Sequence, residues 1–116
     1  MIIIDENTVV VSNFSELKSV LEEANTYNYV YLNSDITLTS GIKLSSSKTT
    51  VTIDGTYDNV RHKYIDMKST SGTSAIYVSA VYPSKVIIKN MDVTGYNYYG
   101  IVYVPDSSTY HSNYWS

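Results

Sequence analysis

A chain of 116 residues with eight basic and eleven acidic side chains carries a net charge of −3. This argues against an electropositive nucleic-acid surface. No apolar run approaches the ~18 residues a membrane-spanning helix needs, and the absence of cysteine removes disulfides, thiolate metal sites and cysteine nucleophiles. Valine (13), isoleucine (11) and tyrosine (13) are set among serine (17), threonine (12) and asparagine (9), a composition of half-buried strands joined by polar turns.

In chain order, Met1 to Asp5 is too short, and lacks the basic flank, to be a secretory signal. A helix is predicted over 13–24, because Phe14, Leu17, Val20, Leu21 and Ala24 recur on one face with Glu16, Lys18, Glu22 and Glu23 opposite. Asn13 followed three residues later by Glu16 reads as an N-cap with its reciprocal acid. A single apolar stripe requires that this helix lie against something else.

Beyond residue 28 the period becomes two. Nine short strands are predicted, at 29–32, 35–38, 42–44, 50–53, 64–67, 75–78, 85–88, 91–93 and 100–104. No Asn-Gly hairpin signal separates them, which predicts coils of parallel strands and argues against an antiparallel sandwich. Taken in threes, Val30, Val51 and Val86 open successive coils, Ile36, Ile65 and Met91 mark the second strands, and Ile42, Ile76 and Ile101 the third.

The order of a short strand at Thr8 to Val11, the helix Asn13-Phe14-Ser15-Glu16-Leu17, the pair Tyr29-Val30-Tyr31-Leu32 and Asp35-Ile36-Thr37-Leu38, and then Val51-Thr52-Ile53-Asp54-Gly55 resembles the start of the pectate-lyase-like superfamily. The later Val86-Ile87-Ile88-Lys89-Asn90-Met91-Asp92-Val93 resembles its coil units, and the Ser, Thr, Tyr and Asn content resembles the adhesive modules of Gram-positive surface proteins. The resemblance implies an all-β, right-handed parallel β-helix of about three coils. It would form a single domain over 1–116, with a capping helix in 12–26, coils in 28–106 and a polar tail in 107–116. It also implies a non-catalytic, extracellular or cell-surface adhesion module, expected to be an N-terminal fragment of a larger protein that contacts glycan or protein ligands. The alternative is the non-catalytic N-terminal portion of a polysaccharide lyase or hydrolase. The last coil would leave Val86, Ile88, Val93 and Ile101 at an open end, from which self-association is expected.

Candidate chemistry is sparse. Enzymes of the resembled fold use aspartate clusters with Ca²⁺, an arginine or lysine base, or paired aspartates, whereas Asp54, Asp66 and Asp92 stand singly here and Arg61 is the one arginine. Asp54-Gly55 reads as a turn at a coil corner with glycine at positive φ. Asp35 and Asp92 are expected to face solvent, where a Ca²⁺ site is open to them but nothing further in the sequence supplies the six to eight oxygens that ion wants. His62 and His111 have no partners at metal-ligand spacing. No catalytic residue, metal or cofactor is therefore assigned. The tyrosines remain: Tyr29 and Tyr31 should point outward, as should Tyr77, while Tyr96, Tyr98 and Tyr99 crowd one loop. An apolar ring with a hydroxyl at small entropy cost suits ligand contact, and Tyr77, Tyr96, Tyr98 and Tyr99 are the candidate binding residues.

Overall fold

Alternating Val and Ile residues become strands, and one amphipathic stretch becomes helix. The computed structural model describes residues 1–61, 64–66, 76–77, 85–94, 102–103 and 113–115. The elements begin with β1 (Ile2–Ile3), β2 (Thr8–Val11), α1 (Phe14–Glu22), β3 (Tyr29–Leu32), β4 (Ile36–Thr37), β5 (Ile42–Lys43), β6 (Thr50–Asp54) and β7 (Thr56–Tyr57). They continue with β8 (Val60–Arg61), β9 (Tyr64–Asp66), β10 (Ile76–Tyr77), β11 (Lys85–Lys89), β12 (Asp92–Thr94), β13 (Val102–Tyr103) and β14 (Asn113–Trp115).

The architecture is all-β with one short helix. The first sheet has the order β1-β2-β3-β6-β11-β14, the second β12-β9-β4 and the third β13-β10-β5. The chain visits them in rotation: β3, β4 and β5 lie in the first, second and third sheets, β6 returns to the first, and the same cycle recurs through β9, β10 and β11 and again through β12, β13 and β14. Strands that recur one cycle apart pair in parallel.

Register stacks like on like. Val9, Val30, Ile53 and Ile88 form one buried ladder across the first sheet, and Val51 pairs with Val86 beside it. Ile36 pairs with Ile65 and Ile42 with Ile76, as the spacing predicts. Three rungs differ from the prediction. Val30 lies opposite Ile53 and not Val51, Ile65 opposite Val93 and not Met91, and Ile76 opposite Val102 and not Ile101. The first two are slips of two residues, which keep the same face inward. The third is a slip of one residue. Met91 is instead buried at the bend between β11 and β12.

The helix is shorter than its apolar pattern, spanning Phe14–Glu22 with Ala24 exposed beyond it. Asn13 Oδ1 accepts from Glu16 N at 2.9 Å, and Glu16 Oε1 accepts from Ser12 N at 2.8 Å, one residue before the cap itself. Leu17, Val20 and Leu21 are buried. Because α1 connects β2 to β3, it occupies the place that second- and third-sheet strands take in later cycles, and so covers the core beside β5. Lys18 Nζ reaches Glu22 Oε2 (2.7 Å) and Gly41 O (2.8 Å), while Glu22 Oε2 also accepts from Lys43 N (3.0 Å). Ser45 N donates to Leu21 O at 2.9 Å.

Two antiparallel pairings depart from the all-parallel expectation. β1 pairs with β2 at the sheet edge, and β7 and β8 form a hairpin. The hairpin turns on Asp58 (φ 58°) and Asn59 (φ 64°), the two consecutive left-handed residues that a two-residue type I′ turn requires. Asp and Asn tolerate that region better than most side chains. The region 107–116 is not polar tail throughout, since Asn113–Trp115 pairs in parallel with β11, placing Trp115 opposite Ile88. Within the first sheet the open edge of β11 is thereby taken up.

Candidate functional site

The inner face of β3 and β6 is core, so alternation sends Tyr29, Tyr31 and Thr52 to the outer face. Asp54 ends β6 opposite Tyr31 on one side and Lys89 on the other. Two tyrosines on one face of a four-residue strand bring their ring centroids to 4.9 Å. The hairpin then swings Tyr57 to 5.5 Å from Tyr31, at an interplanar angle of 54°.

Asp54 is the node of this region, although it is only 5 % exposed. Its Oδ2 accepts from the Tyr29 hydroxyl at 2.6 Å, and its Oδ1 accepts from Thr56 N (3.0 Å) and Asn90 Nδ2 (3.2 Å). Three donors on a buried carboxylate compensate its desolvation and leave little acceptor capacity for a proton-transfer role. Burial, and then the Asp54 hydrogen bond, pushes the Tyr29 phenol well above the ordinary range. Lys89 Nζ stands 5.4 Å from the Tyr29 ring centroid, a cation–π contact.

The turn reading of Asp54-Gly55 holds, but for another reason than positive φ. A Cβ on Gly55 would lie 2.2 Å from Met91 Cβ and 2.7 Å from Asn90 O, so the glycine permits close approach of two neighbouring bends. Gly55 N donates to Lys89 O at 3.0 Å, and Thr56 Oγ1 donates to Asn90 O at 3.0 Å. Asn90 itself has φ 56°.

Above this floor lies an open cleft of about 320 Å³, walled by Tyr31, Thr56, Tyr57, Asp58, Asn59 and Asn90. A second cleft, of about 240 Å³, opens at the N-terminal ends of β2, β3 and β6, among Asn7, Asn28, Thr49 and Thr50. Its notable group is Lys48, 5 % exposed, whose Nζ donates to Asn25 Oδ1 (2.5 Å) and Tyr27 O (2.7 Å). Burial lowers its pKa, and the carbonyl acceptors tie the loop after α1 to the loop before β6.

Of the sequence-predicted binding residues, Tyr77 is in β10, in register with Lys43 and Tyr103. Tyr96, Tyr98 and Tyr99 lie outside the described residues. Asp35 and Asp92 are exposed, as expected. Among the described residues no group of three His, Asp or Glu side chains could hold a metal, and no helix is long and apolar enough to cross a membrane. The hairpin tyrosine and the Asp54 node escaped sequence reasoning. Tyr57-Asp58-Asn59-Val60 was the available signal, an Asx pair in a turn position without the customary glycine.

A family model described as "Putative pectate lyase-like adhesive domain" matches residues 8–116. The chain belongs to the pectate lyase-like adhesive domain family. The match takes in every element from β2 to β14 and so includes the whole tyrosine–Asp54 region. No curated protein and no solved structure matches the chain.

Proposed function

We propose that this adhesive domain is a non-catalytic, cell-surface or extracellular binding module wound as a right-handed parallel β-helix capped at its N-terminal end by α1. The winding is supported by the threefold rotation of the chain among its sheets and by the Val9-Val30-Ile53-Ile88 ladder. The observation that carries the function is the family match together with a tyrosine cluster held on the outer face, where a ligand can reach it. Tyr77, Tyr96, Tyr98 and Tyr99 are proposed as further contacts.

Self-association belongs to the same proposal. With β14 lying against β11, it would proceed from β14, β12 and β13, the end strands of the three sheets. Light scattering coupled to size exclusion is expected to give a mass near twice 13.0 kDa. A monomer at high concentration would remove this part.

Adhesion is tested with beads carrying the chain on surfaces coated with polysaccharide or cell-wall material. The proposal expects retention that soluble chain competes away. Beads that adhere no better than bare ones would refute it.

A further inference from the structure

We infer that the cleft walled by Tyr31 and Tyr57 is a binding site for a neutral saccharide, one that selects against uronate-containing chains. This rests on the adhesive reading above and names the ligand chemistry of its outer face.

Four observations converge. First, two half-buried tyrosine rings with centroids 5.5 Å apart and a 54° tilt form an angled wall, which offers ring faces to the apolar C–H side of a sugar. Second, Asp58, Asn59 and Asn90 are exposed around the same cleft and bring a carboxylate acceptor and two amides, groups able to bond hydroxyls as donor or acceptor. All three have positive φ, as residues at tight bends do.

Third, two backbone donors beside the cleft are committed. Gly55 N–H goes to Lys89 O, and Thr56 N–H goes to Asp54. An extended peptide that adds as a strand depends on free main-chain groups, whereas a saccharide is held by side chains. The volume of about 320 Å³ falls at the lower end of ligand clefts, sized for a small ring compound.

Fourth, the described lining residues include Asp54 and Asp58 and no basic side chain. Lys89 lies against the Tyr29 ring on the other side of Asp54. A carboxylate on each sugar would meet like charge, so an acidic polymer is disfavoured despite the lyase-like family description.

Calorimetric titration of the whole chain tests this, with cellotriose, maltotriose and N-acetylchitotriose as neutral probes and trigalacturonate as the anionic one. At least one neutral trisaccharide should bind, and trigalacturonate should bind at least about tenfold more weakly. Tyr57→Ala and the apolar but non-aromatic Tyr57→Leu should each reduce affinity by about tenfold or more, a loss of about 1.4 kcal/mol, while Tyr57→Phe retains most of it. Melting temperatures of the variants identify any that fail to fold. Equal or tighter binding of trigalacturonate, no binding by any neutral probe, or unchanged affinity in a folded Tyr57→Leu would overturn the inference. If coated beads still adhere in those cases, the adhesive reading survives; if they do not, both fall.

Discussion

Asp54 and Gly55 show how much two residues decide. The carboxylate gathers donors from three different segments, and the adjacent glycine lets the bend after β11 pack directly on the bend after β6. Gly55→Ala should cost about 1 to 3 kcal/mol, because the added methyl meets a Cβ and a backbone carbonyl and cannot be absorbed by a side-chain rotation. Thermal melting measures that loss; an unchanged midpoint would show the bends to be further apart. Tyr29→Phe removes a hydrogen bond to a charged acceptor and should cost about 1.5 to 3 kcal/mol. The pH sign follows from the raised phenol. Its folded pKa lies above the unfolded value near 10, so the native state holds this proton longer. That contribution is complete below about pH 10 and is lost as the unfolded chain ionises above it. Alkaline titration of phenolate absorbance should show a late-ionising phenol that is absent from Tyr29→Phe. At this scale Asp-Gly was legible as a turn. The hydrogen bonds to Asp54 were not, since Tyr29 and Asn90 lie 25 and 36 residues away and only the register brings them together.

Among elements, α1 was the most readable, because a 3.6-residue apolar stripe and an Asn cap are local signals. Its docking follows from the same stripe. Leu17→Ala or Leu21→Ala should cost about 2 to 5 kcal/mol, since both are fully buried against the first complete cycle of strands. Both variants melting with the parent would mean that the helix is not seated there. The strands were also legible, through period two and β-branched content, but their pairing was only partly so. Loop lengths vary between cycles, and nothing local distinguishes Val51 from Ile53 as the partner of Val30. The β7–β8 hairpin was missed because its turn is Asp-Asn, where glycine is the usual marker. Asn59→Gly should be tolerated or slightly stabilising at φ 64°, while Asn59→Val should destabilise, a β-branched residue being poorly suited to that region. Equal stability of the two would argue against the turn described.

For the molecule as a whole, a rotating path among three parallel-paired sheets produces two surfaces of opposite character. Inward positions repeat as Val, Ile and Leu, and outward ones carry tyrosine, threonine and charge. A surface of this kind can diversify without disturbing the ladder beneath it, which suits an adhesive domain. Contact without turnover is tested most directly by incubating the chain with a panel of neutral and acidic polysaccharides, with and without Ca²⁺. Bound protein and released sugar ends are then measured in the same samples. Binding to at least one polymer, with reducing and unsaturated ends at the level of a heat-killed control, is the expected result. Release of either kind of end above that control would contradict it.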